Sequence, residues 1–281
     1  MSLPKVGNQG LFEMSLLNYK ILEVFEPNPS STTDSKQGSL SVLIKSDHEV
    51  AQAQVYSEIV ANRLANILGI PVALGVPAKH NSTQDTINFV SLMAYEEDRK
   101  IYDFTALDNR NYEQPNKLKK GIMADIDHLP ELLKLIKIYP KQISYIAVFD
   151  YWIGNQDRPL NFKAELQKDG RGLIFALDQG SSLLACKSTI DASFEALKNT
   201  EYPNIHPFQK LLSPLFVGEM IERINGIPDW ALESATIFDE NIGNVTIADQ
   251  YTLFENLRYR RKFLREKIKI FLCTRQKNIT H

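Results

Sequence analysis

The stretch from Ala147 to Ala185, AVFDYWIGNQDRPLNFKAELQKDGRGLIFALDQGSSLLA, constrains the fold more than any other part of the chain. It continues the run Ile143–Gly154 (ISYIAVFDYWIG), which is apolar nearly all round and so reads as a helix buried on every side. Asp150 inside that run calls for a buried partner or a helix end to cap. A polar turn follows, holding Asp157, Arg158 and Asn161. A hairpin is expected over Phe162–Leu177, with Asp169-Gly170 as its turn signal. Its second strand, Leu173–Leu177, delivers Asp178 just ahead of Gly180. Two carboxylates and an amide therefore stand at the ends of short rigid elements that fold back on one another. That arrangement suits a divalent metal and a phosphate chain. Each of these residues taken singly is also a common turn former, bonding its local backbone; the joint pattern is what points to a site.

The chain before this stretch is mostly strand. Leu16–Phe25 and Ser39–Lys45 read as strands joined by the polar loop Pro27–Gly38, a mobile hairpin tip or a flap whose Ser30, Ser31, Thr32 and Thr33 hydroxyls face phosphates. No GxxxxGK[ST] or GxGxxG supports the flap. Ser46–Glu49 (SDHE) matches a capping box and places a helix over Asp47–Leu68, with Val55, Ile59, Val60, Leu64, Ile67 and Leu68 as its apolar stripe. Gly69 and Pro71 stop it. Glu58 lies beside the stripe, half buried, and wants a cation; Lys45 at the end of the preceding strand is the natural candidate. Pro71–Pro77 and Ile87–Met93 read as two more strands, and Ala94–Arg99 as a connection out of the sheet.

From Ile101 onward the pattern turns helical. Leu129–Tyr139 is amphipathic, with Pro130 near its start and Pro140 after its end. Short helical patterns cover Phe194–Lys198, His206–Ile224 and Pro228–Ile237, and one long helix spans Asp249–Cys273. That last helix carries Arg258, Arg260, Arg261, Lys262, Arg265, Lys267 and Lys269, which read either as a nucleic-acid face or as the solvated side of a docked helix.

The bulk numbers narrow the function classes. Over 281 residues the formal net charge is −2, so no global field favours nucleic acid or an anionic membrane. No apolar run reaches the roughly 20 residues needed to cross a bilayer. Cys186 and Cys273 give neither metal spacing nor a disulfide framework, and the first ten residues lack the signature of a secretory signal; a cytoplasmic protein is expected. The five histidines show no zinc spacing and no G-x-S-x-G occurs, so neither a zinc site nor a serine hydrolase is expected.

A strand lysine, a helix glutamate, a metal-binding Asp, and a catalytic Asp with an Asn shortly after it are the parts phosphoryl transfer needs. Lys45, Glu58 in SEIVANRLANILGIPV, the WIGNQDRPLN turn and the LDQG segment resemble the HipA-like kinases, in the wider protein-kinase-like group that includes phosphatidylinositol kinases. The resemblance covers residues 45–180 well and Pro207–Trp230 loosely. It implies an α+β, bilobal protein-kinase-like fold: a β-rich nucleotide-binding lobe over residues 1–96 and a helical catalytic lobe over 97–281, with ATP in the cleft. By position, Lys45 resembles the phosphate-contacting lysine, Glu58 its partner, Asp157 the catalytic aspartate, and Asn161 and Asp178 the Mg²⁺ ligands. Met93, Ala94, Tyr95 and Glu96 would form the hinge that reads adenine. The implied acceptor is a protein Ser/Thr or a small hydroxyl compound; a membrane partner is not expected.

Four departures stand out. Asn161 follows Asp157 by four residues where the family usually has five, the segment reads D-Q-G in place of D-F-G or D-H-G at a middle residue that seldom touches metal, Glu58 follows Ser57 where the family often has Asn, and no Gly-rich loop covers the phosphates. The short spacing and the missing Gly-rich loop motivate one rival reading, a nucleotide-binding pseudokinase or scaffold without transfer; the basic last helix motivates another, an interaction protein that uses it on nucleic acid.

Overall fold

Alternating apolar positions and β-branched residues give way to 3.6-residue periodicity along this chain, and the structure follows that change: antiparallel strands first, helices after, an α+β architecture. The computed structural model describes residues 19, 21–27, 35–49, 52–79, 86–93, 101–103, 130–155, 157–158, 161–165, 172–198, 206, 208 and 212–273. The flap hydroxyls at 30–33, the hairpin turn at 169–170 and the hinge residues Ala94, Tyr95 and Glu96 lie outside them.

β1 (Ile21–Pro27) and β2 (Lys36–Leu40) form an antiparallel ribbon. β3 (Val42–Lys45), β4 (Gly75–Lys79) and β5 (Ile87–Leu92) form a second sheet with β5 in the middle, pairing Lys45 with Phe89. The expected single strand Ser39–Lys45 is thus broken at Ser41, where the chain passes from one sheet to the other. The expected strand Pro71–Pro77 also shifts, because Pro71 to Ala73 turn to the third sheet. That sheet is β6 (Ile101–Asp103), β7 (Phe162–Glu165) and β8 (Ile174–Ala176), in that order. Val72 bridges Ala176 in parallel, with Ala73 N–H donating to the Ala176 carbonyl (3.0 Å) and Ala176 N–H to the Pro71 carbonyl (2.8 Å). This seam brings the end of β8, and so Asp178, beside the sheet that carries Lys45.

Helix α1 (Gln54–Leu68) begins seven residues later than the capping box indicated. The Ser46 hydroxyl donates instead to Asn88 Oδ1 (2.5 Å), while Asp47 Oδ1 reaches across the intervening turn to accept from Val55 N–H (2.8 Å). A carboxylate still serves the orphan donors at the helix start, from outside the helix. Gly69, at φ 68°, ends α1 as read.

The helical part comprises α2 (Pro130–Ile138), α3 (Pro140–Ile153), α4 (Ile190–Lys198), α5 (Pro214–Asn225), α6 (Asp229–Thr236) and α7 (Ile247–Cys273). Pro140 does more than follow α2: it opens α3, where its missing N–H costs nothing. Every α3 residue from Ile143 to Ile153 is buried, as its all-round hydrophobicity requires. The helix expected over His206–Ile224 starts only at Pro214, and no described helix is long and apolar enough to cross a membrane.

The basic residues of α7 are largely consumed by the fold. Arg260 is fully buried and donates to the carbonyls of Tyr151 (2.7 Å), Trp152 (2.8 Å) and Leu197 (2.6 Å), the first two in the last turn of α3. Arg261 pairs with Asp229 and the Ile227 carbonyl, Arg265 with Glu222, and Arg258 with Glu255 (3.1 Å). Arg260→Met is expected to cost about 1–3 kcal/mol of stability through these orphaned carbonyls. Urea denaturation checks this, and Arg260→Lys should lose less because its ammonium still serves part of the set.

Candidate active site

Lys45 ends β3 facing inward, with its side chain only 13% exposed. Its Nζ lies 2.5 Å from Glu58 Oε1 and 2.8 Å from Asp178 Oδ1. The partner anticipated for Glu58 is therefore found, but Glu58 is 2% exposed rather than half buried. Burial alone would lower the Lys45 pKa; the two carboxylates override it and hold the ammonium charged, above its ordinary range. Burial pushes the Glu58 carboxyl up, and Lys45 pulls it only part of the way back. Asp178 is 42% exposed; partial burial raises its carboxyl, and Lys45 more than offsets this and holds it below the usual carboxylate value.

The loop after α3 places the other acidic group. Gly154 leaves the helix at φ 69°, a conformation that favours glycine. The Asn155 side chain then accepts from Asp157 N–H (2.9 Å), fixing the loop backbone. Asp157 is exposed. Asn161 Nδ2 donates to the Asp157 carbonyl (2.6 Å) and approaches the Asp157 Oδ2 (3.3 Å).

Two cavities meet at Asp178. The first, about 190 Å³, is walled by Leu43, Lys45, Glu58, Phe89 and Ala176 and reaches Asn161 and Asp178. The second, about 430 Å³, holds Asp157 and Asp178 together with Gly180, Ser181, Lys187 and His48. Lys45, Glu58, Asn161 and Asp178 are thus brought together, and Asp157 stands on the far side of Asp178. Met93 is not brought in: it is half exposed, lines neither cavity, and its N–H is committed to the Ser41 carbonyl (3.0 Å).

Asp178 and Asn161 both line the first cavity, and a carboxylate and an amide oxygen are ligand types that suit Mg²⁺, an ion that keeps water and takes ligands from substrate phosphates.

Beneath the loop lies a buried ionic group that the sequence only hinted at through Asp150. Arg158 grips that carboxylate with two nitrogens, Nε to Oδ2 (2.8 Å) and Nη2 to Oδ1 (3.0 Å), and Nη1 donates to the carbonyls of Asn161 (2.8 Å) and Leu177 (2.6 Å). His206 Nε2 adds a contact to Asp150 Oδ2 (3.1 Å). One guanidinium therefore ties the core helix to both acidic loops. Arg158, adjacent to Asp157, was the legible signal; His206 and Asn155 carried none, since their partners are distant or generic.

No protein-family model and no curated protein matches the chain. Among solved structures it is similar to the Helicobacter pylori proinflammatory kinase CtkA, at 17% identity and TM-score 0.48 over 95% of this chain and 99% of that one. It is also similar to a chain of the Shewanella oneidensis MR-1 toxin–antitoxin complex of HipA, HipB and operator DNA, at 15% identity and TM-score 0.49 over 95% of this chain and 70% of that one. The chemistry attributed to this chain rests on its own side chains.

Proposed function

We propose that the chain is an ATP- and Mg²⁺-dependent phosphotransferase to a hydroxyl, with protein Ser/Thr as the acceptor class and the cytoplasm as its setting. The observation that carries this reading is Lys45 Nζ held between Glu58 and Asp178 on one cavity wall, with Asp157 across Asp178 in the other. Residues 1–96 form the nucleotide lobe and 97–281 the catalytic lobe. Lys45 binds and orients the phosphates, and Glu58 keeps its ammonium aimed. Asp178 and Asn161 would hold Mg²⁺, which when bound offsets charge on the phosphates. Asp157 orients the acceptor hydroxyl in the second cavity and takes its proton as the oxygen forms its bond to the γ-phosphorus and the bond from that phosphorus to the β,γ-bridging oxygen breaks, releasing ADP.

Lys45→Met is expected to weaken ATP binding by about 1.5–3 kcal/mol, the range for a hydrogen bond to a charged group. Titration calorimetry with Mg²⁺ and a non-hydrolysable ATP analogue reads this. Unchanged affinity removes Lys45 from the nucleotide site. A second reading, nucleotide binding without transfer, is favoured by one observation: the Asn161 amide is turned onto Asp157, four positions before it. Tight nucleotide binding with no transfer to a broad acceptor panel would select it.

A further inference from the structure

Gln179, the middle residue of D-Q-G, has so far been given no part. It is 2% exposed, and its amide is used at both ends. Oε1 accepts from Arg158 Nη2 (2.5 Å) and Asn155 Nδ2 (3.3 Å), while Nε2 donates back to the Leu177 carbonyl (3.3 Å). Its backbone is also engaged: the carbonyl accepts from the Ser182 hydroxyl (2.7 Å).

The residue before it, Asp178, sits at φ +45°, in the left-handed region that a side chain bearing a Cβ rarely adopts. Such a conformation persists only when its surroundings over-determine it. Here they do. On one side Leu177 is pinned by the Arg158 guanidinium at its carbonyl and by the Asn161 carbonyl at its N–H (2.8 Å). On the other, Gln179 is drawn into the core by Arg158 and Asn155. With both neighbours held inward, the Asp178 carboxylate is left pointing outward to Lys45 at the junction of the two cavities.

We infer that Gln179 is a positioning residue: its amide, clasped by Arg158 and Asn155, fixes the left-handed turn that aims Asp178 at a bound divalent cation. The inference rests on the phosphotransferase reading of the same site. An amide is required because the position needs an acceptor toward Arg158 and a donor toward Leu177 at once; a carboxylate supplies only the first and an alkyl chain neither.

The test compares wild type, Gln179→Met and Gln179→Glu for Mn²⁺ binding by electron paramagnetic resonance, with saturating non-hydrolysable ATP analogue. Affinity for the analogue in EDTA and the thermal midpoint are measured on the same samples. Gln179→Met should bind Mn²⁺ about 10- to 100-fold more weakly, the usual cost of removing a residue that orients a metal ligand. Affinity for the analogue in EDTA should be unchanged, and Gln179→Glu, which keeps the acceptor, should fall between. Arg261→Lys, which loosens the bonds to Asp229 and the Ile227 carbonyl and lines neither cavity, should keep wild-type Mn²⁺ affinity, which separates positioning from mere loss of stability. If Gln179→Met does not fold, Gln179→Glu carries the test through its predicted intermediate loss. Wild-type protein that binds nucleotide and Mn²⁺, with both Gln179 variants equal to it, overturns this inference alone. Wild-type protein that binds no Mn²⁺ alongside nucleotide removes the phosphotransferase reading and this inference together.

Discussion

Asp157→Asn is expected to slow phosphoryl transfer by about 10²–10⁴-fold, the usual contribution of a positioned general base. The substitution keeps the shape of the loop: the N–H to Asn155 and the carbonyl to Asn161 are backbone bonds, and the new amide oxygen still accepts from Asn161 Nδ2 in place of Oδ2 (3.3 Å). What is lost is the acceptor for the hydroxyl proton. Asp157 lies in the second cavity, apart from Lys45, so nucleotide affinity should stay at the wild-type value while kcat falls. A matched loss of nucleotide binding would instead mean that the loop had moved, and would take Asp157 out of the role of base. Steady-state kinetics beside calorimetric titration of the ATP analogue separates the two outcomes.

Asp150→Ala is expected to destabilise the fold by about 3–5 kcal/mol, because removing one partner of a buried ion pair leaves the other charge uncompensated. Arg158 is 1% exposed and would face the apolar interior of α3 with no carboxylate. A double substitution that replaces Asp150 and Arg158 together with apolar residues should recover part of the stability, yet not activity, since Arg158 also holds the Asn161 and Leu177 carbonyls. Urea denaturation of the single and double variants measures the difference. The pH dependence follows from the same pair. Complete burial pushes the Asp150 carboxyl up, but Arg158 and the His206 contact hold it below its ordinary value. A depressed carboxyl contributes stability that is fully present above its unfolded pKa of about 3.9 and is lost as pH falls through the lower folded value. Weakening on this account should therefore appear only on the acid side.

Much of this was legible because neighbours in sequence set it. The all-round apolar run fixed α3, Gly154 and Gly69 ended helices where glycine is favoured, and the hairpin fell on Phe162–Leu177, observed as β7 and β8. The demand of Glu58 for a cation was also readable, since Lys45 ends the strand just before it. What was illegible depends on residues far apart. Ser46–Glu49 matched a capping box, but Ser46 found Asn88 across the sheet, and the helix start passed to Gln54. Ser39–Lys45 looked like one strand because alternation does not reveal that Ser41 changes sheets. The seam between Pro71–Ala73 and Ala176, which sets Lys45 beside Asp178, joins segments about a hundred residues apart in the chain and has no local signature. Gln179 looked like a neutral departure from a pattern, and its burial shows why only the structure could give it a part.

The central claim is that Asp178, at the meeting of the two cavities, joins a nucleotide side to an acceptor side. The most direct measurement is transfer of labelled γ-phosphate from ATP, with and without Mg²⁺, by wild type and by Asp178→Ala, to a panel of Ser/Thr proteins and small alcohols. The expected result is Mg²⁺-dependent transfer by wild type and its loss in Asp178→Ala, while the variant stays folded. Transfer by Asp178→Ala at the wild-type rate would contradict the account.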